Sequence, residues 1–153
     1  MPSKYYQRNF TQDGYYHIYN RGAYKKNIFI TQKDYATFTN IIRYYLNFPT
    51  GKPLSLLLAL KVPNLQLDAF INPKPINLIC YCLMPNHFHL LLHQSAQPTK
   101  NTNITNLMRR ISITYAMYFQ QRHQHSGGLF EGKYKNIQVE TETHLLQLSR
   151  YIH

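Results

Sequence analysis

The stretch Ile76-Asn77-Leu78-Ile79-Cys80-Tyr81-Cys82-Leu83-Met84-Pro85-Asn86-His87-Phe88-His89-Leu90-Leu91-Leu92-His93 holds two apolar, β-rich runs on either side of a Met-Pro-Asn turn signal. Ile76 to Leu83 and His87 to His93 are therefore expected to pair as a hairpin. Side chains alternate along a strand, so His87, His89, Leu91 and His93 share one side while Phe88, Leu90 and Leu92 point to the other. The second set is apolar enough to lie beneath helices. Two imidazoles at i and i+2 can present their nitrogens to one metal ion. Because one strand supplies only two ligands, such a site keeps the open positions of a catalytic metal. The other His-x-His, His123 and His125, falls in a glycine-flanked loop and is read as plain surface.

Working outward, Tyr15 to Asn20 alternates aromatic and polar residues and ends at Arg21-Gly22, a strand followed by a turn. Thr31 opens a helix with Asp34 three residues on, a variant of the capping box. Tyr35, Phe38, Ile41, Ile42 and Tyr45 form its apolar stripe. Beyond the polar linker Gln94 to Thr102, Ile104, Leu107, Met108, Ile111, Tyr115, Tyr118 and Phe119 mark one face of a second helix. Lys133 to Val139 reads as a last strand, and Thr141 caps a last helix. The order β-α-β-β-α-β plus one helix predicts an α+β, ferredoxin-like fold with an antiparallel sheet. Its two crossover helices cover one face, and only the final helix is free to cover the other. The chain reads as a single domain, 1–153, with an irregular, proline-rich insertion at about 49–75.

Composition narrows the chemistry. The 153 residues carry 17 Lys plus Arg against 6 Asp plus Glu, a formal net charge of +11. Charged residues are only 15% of the chain, so the excess reflects missing acids. A two-metal site caged by three carboxylates would use half of them, and a carboxylate-pair glycosidase is as poorly supplied. The N-terminus has no secretory apolar region, and Leu54 to Leu60 is too short to span a bilayer. Cys80 and Cys82, two apart in a strand, cannot comfortably pair with each other. These features point to a reduced, cytoplasmic protein with no membrane partner, and its basic surface points to nucleic acid.

Met84-Pro85-Asn86-His87-Phe88-His89-Leu90-Leu91 resembles the His-hydrophobic-His motif of the single-tyrosine HUH transposases (IS200-like), in particular the REP-associated tyrosine transposase branch. Tyr16-His17-Ile18-Tyr19-Asn20-Arg21-Gly22 resembles that family's first strand and Asn-Arg-Gly turn. Gly128-Leu129-Phe130-Glu131-Gly132-Lys133-Tyr134-Lys135 resembles its Gly-x-Leu-Trp-x-Gly-Arg-Tyr-Lys segment, with Phe for Trp and Lys for Arg. Leu148-Ser149-Arg150-Tyr151-Ile152-His153 resembles the start of its Tyr-Ile-His-Leu-Asn-Pro motif. Four such segments in the right order span roughly residues 15–153, apart from the insertion.

The resemblance implies a metal-dependent single-stranded DNA endonuclease and strand transferase. It would act at hairpins such as REP-like elements and form a 5′-phosphotyrosine link, as a monomer or homodimer. It also implies that His87 and His89 hold one Mg²⁺ or Mn²⁺ and that Tyr151 is the nucleophile. Tyr115 is the rival, on the apolar stripe of its helix. The family's asparagine four residues past the tyrosine would lie beyond His153, so the sequence looks truncated, with Gln147 as a substitute ligand on the same helical face. Arg21, Lys25, Lys26, Arg109, Arg110, Lys133 and Lys135 are the candidate phosphate-binding residues, and Tyr5, Tyr6 and Tyr24 could stack on unpaired bases. The alternative is a truncated or degenerate relative that grips structured single strands without cutting them. A ferredoxin-like RNA-binding domain is a weaker third reading, because the His pair occupies the strand positions where exposed aromatics belong.

Overall fold

Thr31 and Asp34 start the first helix as their spacing predicts. The Thr31 hydroxyl accepts from the Asp34 backbone N–H, and the Asp34 carboxylate accepts from the Thr31 backbone N–H at 2.9 Å. In the computed structural model, which describes residues 9–49, 53–54 and 74–152, the elements are β1 (Gly14–Arg21), α1 (Gln32–Asn47), β2 (Ile76–Met84), β3 (His87–Gln94), α2 (Ile104–His123), β4 (Lys135–Val139) and α3 (Glu142–Ile152). A single 3-10 turn, Ala23–Lys25, follows β1. Most of the 49–75 insertion, together with Tyr5, Tyr6 and His153, lies outside the described residues. Among the described residues, no helix is long and apolar enough to cross a membrane.

The sheet order is β2-β3-β1-β4, and each neighbouring pair is antiparallel. This is the α+β arrangement that the element order predicted. The two faces divide the hydrophobic residues cleanly. Tyr16, Ile18, Phe88, Leu90 and Leu92 pack beneath α1 and α2 with Phe38, Ile41, Met108, Ile111 and Tyr115. On the other face, Leu91, Cys80 and Val139 meet Leu148 and Ile152 of α3. The last helix therefore covers the face that carries the histidines. Thr141 does cap it, its hydroxyl accepting from the His144 backbone N–H at 3.1 Å.

Two departures from simple alternation matter for the site. In β2 the register slips between Leu78, opposite Leu92, and Cys80, opposite Leu91. Ile79 is the extra residue of this bulge. Leu78 consequently stays under the crossover helices, whereas Cys80 joins the α3 side and Cys82 lies opposite His89. Both cysteines are free thiols. The second departure corrects the last strand, which begins at Lys135 and not at Lys133. Gly132 adopts φ +82° just before it, and the Asn20 amide holds the Gly132 carbonyl at 3.1 Å. The chain turns there and cannot yet extend.

Backbone hydrogen bonds tie the motif segments into one knot. The Gly22 N–H donates to the Asn86 carbonyl at 2.8 Å, Ala23 to Leu129 at 2.9 Å, and Glu131 to Arg21 at 2.9 Å. Gly22 is required by space, since a Cβ there would lie 2.1 Å from the Lys26 carbonyl oxygen. A Gly22→Ala variant should lose roughly 2 kcal/mol through overpacking, about 5 °C in Tm for a chain of this size. Thermal unfolding followed by circular dichroism checks this.

Candidate active site

His87 and His89 leave β3 on the α3 side, their rings 5.2 Å apart and perpendicular. Each is held through Nδ1. The His87 Nδ1 lies 2.7 Å from the Asn86 Oδ1, and a carbonyl oxygen can only accept, so this nitrogen carries the proton. The His89 Nδ1 lies 2.8 Å from the His17 Nε2 on the adjacent strand β1. In both rings it is Nε2 that remains for an outside ligand. Burial and the neighbouring His87 hold His89 below the usual imidazole range. Burial, reinforced by His89 and His144, lowers His17 to about 4. Both shifts favour the neutral ring, the state in which imidazole offers a lone pair.

Tyr151 stands on α3 beside this pair. Its ring meets His89 edge-on with centroids 6.1 Å apart, and it is 74% exposed, open to a substrate. Leu148 and Ile152 anchor the helix beneath it. Gln147 is exposed one turn earlier on the same side of the helix. Among the described residues, no group of three or more His, Cys, Asp or Glu is disposed to hold a metal ion.

Tyr115, the rival nucleophile, is excluded by its position. It is fully buried on the crossover side, among Phe29, Phe38 and Tyr118. Its hydroxyl donates to the Ile28 carbonyl, and burial pushes its pKa far up, with the Asp34 charge adding. The sheet separates it from the histidines.

The basic residues sort into two groups. Arg21, Lys25 and Lys135 line an open cleft of about 470 Å³ together with Tyr19, Asn20, Asn86 and His87. Lys26 is exposed just beyond it, and Lys133 lies exposed in the loop before β4. Arg109 and Arg110, by contrast, belong to α2 on the far side of the sheet. Arg109 donates to Asn106 at 2.8 Å. Arg110 lies over the Tyr45 ring at 4.3 Å and donates to the Pro49 carbonyl at 2.6 Å, which makes it a packing residue between helices. Tyr24 is 91% exposed beside the cleft residue Lys25, and both adopt positive φ. Arg21 is already paired with Glu131, which accepts two of its N–H groups.

Sequence reasoning missed His17. Its signal was present, since it sits in β1 at alternate positions with Tyr15 and Tyr19, but only the β1–β3 register brings it diagonally beside His89. Tyr19, directly opposite His89, stacks on that ring at 5.8 Å and meets the His17 ring tilted at 5.0 Å.

Comparison with known proteins bears on the fold and the family. No curated protein matches the chain in sequence. Among solved structures, the REP-associated tyrosine transposase bound to a REP hairpin superimposes with a TM-score of 0.59 at 10% identity, covering 99% of this chain and 70% of its own. A protein described as a candidate transposase from Deinococcus radiodurans R1 gives a TM-score of 0.50 at 16% identity, covering 99% of this chain and 95% of its own. At such identities these likenesses establish the fold. The family model described as "Transposase IS200 like" matches residues 66–153, more than half of the sequence, and the chain therefore belongs to the IS200-like transposase family.

Proposed function

We propose that the chain is a metal-dependent single-stranded DNA endonuclease and strand transferase acting at hairpins through a covalent 5′-phosphotyrosine link. The meeting of His89 and Tyr151, a strand histidine and a helix tyrosine with ring centroids 6.1 Å apart, carries this reading. The hairpin-bound relative is the ground for naming a hairpin as substrate. The His87 and His89 Nε2 atoms are a donor pair that fits Mg²⁺ or Mn²⁺, with imidazole favouring Mn²⁺ of the two. When bound, the ion would supply Lewis acidity at the scissile phosphate.

The remaining work falls to the protein's own side chains. The Tyr151 Oη attacks phosphorus, a new P–O bond forms, and the P–O3′ bond breaks. The phenol proton goes to solvent and the 3′-oxygen takes one up, leaving a free 3′-hydroxyl. The phosphotyrosine keeps the bond energy, so joining to another strand needs no nucleotide cofactor. Lys25 and Lys135 would neutralise phosphates next to the cut without reading sequence.

The test is incubation with Mn²⁺ and end-labelled single-stranded DNA carrying a hairpin. A protein-linked band that survives a denaturing gel and disappears with EDTA is the expected result. Salt-dependent hairpin binding with no such band would replace the nuclease reading with that of a binding module.

Glu131 provides a separate check on the cleft. Its carboxylate occupies Arg21 and is itself held low by that hydrogen bond. Glu131→Gln should therefore free a cation for phosphate. The slope of log affinity on log salt for single strands should steepen by about 0.7, with affinity rising roughly threefold at low salt. Fluorescence anisotropy across a salt series measures both.

A further inference from the structure

We propose that His17 is a positioning residue for His89: its Nε2 accepts the Nδ1–H of His89 and so holds that ring in the tautomer whose Nε2 carries the lone pair. The inference rests on the metal-site reading above and assigns a role to a residue outside the His-x-His pair.

The contact is direct and enclosed. The two nitrogens lie 2.8 Å apart, His17 is 8% exposed, and the rings stack at 5.1 Å and 26°. Tyr19 closes the neighbouring position against the His17 ring at 5.0 Å, leaving the imidazole little freedom to turn. An imidazole–imidazole hydrogen bond has two directions, and only one serves a ligand. If His17 donated, the His89 Nε2 would carry the hydrogen and could not coordinate. If His17 accepts, Nε2 is free, matching His87, whose Nδ1–H is fixed by Asn86 at 2.7 Å. Both ligands are then held by the same device, a protein acceptor on Nδ1 that fixes tautomer and ring orientation.

A space-filling role for His17 predicts something different. His17→Phe fills the same volume and accepts nothing, whereas His17→Gln places an amide oxygen near the position of Nε2. The variants are compared by Mn²⁺ titration followed by electron paramagnetic resonance, with thermal unfolding alongside. His17→Phe is expected to weaken Mn²⁺ binding by roughly ten- to a hundredfold, and His17→Gln to stay within about threefold of the parent, a tolerance well below that loss. Parent-like binding by His17→Phe, or equal loss in both variants, overturns the proposal.

Long-range ¹H–¹⁵N spectra of the metal-free parent give a readout that needs neither variant nor metal. His89 should appear as the Nδ1–H tautomer, and finding it as Nε2–H overturns the proposal outright. If His89→Ala binds Mn²⁺ as well as the parent does, the metal reading is what fails, and the tautomer spectrum still decides whether His17 orients His89.

Discussion

Tyr151→Phe is expected to abolish the covalent protein–DNA adduct while leaving hairpin affinity within about twofold of the parent, since only the attacking oxygen is lost. The loss should reach at least roughly a thousandfold, or about 4 kcal/mol of transition-state stabilisation, because a phenylalanine ring carries no oxygen to bond to phosphorus. The fold should not register the change. Tyr151 is 74% exposed, and its helix is held by Leu148 and Ile152. Tyr115→Phe makes the opposite prediction. It deletes a buried hydroxyl that donates to the Ile28 carbonyl, so it should cost about 1 kcal/mol of stability and leave adduct formation intact. Adduct yield on a denaturing gel, set beside anisotropy and thermal melts, separates the two. A Tyr151→Phe protein that forms as much adduct as the parent would remove Tyr151 from the site.

Asp34→Ala should cost about 4 kcal/mol of stability, or roughly 10 °C in Tm. Asp34 is fully buried at the start of α1. Its carboxylate accepts from the Ile30 and Thr31 backbone N–H groups, both at 2.9 Å, from the Tyr118 hydroxyl at 2.8 Å, and from the His123 Nε2 at 2.9 Å. Arg122 stands 3.6 Å away. One side chain thus ties the first turn of α1 to the last turn of α2, and its removal strands several buried donors.

Burial alone would raise the Asp34 pKa, but the hydrogen bonds from Thr31, His123, Ile30 and Tyr118 outweigh it and hold the carboxyl at about 2. In the unfolded chain it titrates near 3.9. Between these values the unfolded state binds more protons, so this contribution is complete above about pH 4 and is lost as the pH falls towards 2. Acid unfolding of the parent should show that loss, and Asp34→Ala should lack this component.

Much of the site was legible because its signals are local. The i, i+2 spacing of His87 and His89 puts both on one strand face whatever surrounds them. The apolar complement Phe88, Leu90 and Leu92 states which face is buried. Thr31 and Asp34 announce a helix start by their spacing, and the last helix was the only one left to cover the open sheet face, whereas the choice of Tyr151 on it came from the resemblance to the family's Tyr-Ile-His motif.

What could not be read locally turned on neighbours distant in the chain. Arg109 and Arg110 look like free cations on a helix, and only the packing of α2 against α1 shows Arg110 spent on Tyr45 and the Pro49 carbonyl. The Ile79 bulge shifts Cys80 and Cys82 to the α3 side without any marker in a run of apolar residues.

The sequence by itself determined the order of elements, the two faces of β3 and the acid-poor, basic character that suits a phosphate substrate. These are consequences of residue periodicity and composition, which each segment carries alone. Only the tertiary structure decided that His17 orients towards His89, that Tyr115 is sealed in the core, and that Arg21, Lys25, Asn86 and Lys135 share one cleft. Those facts depend on strand register and helix packing, where residues remote along the chain become neighbours.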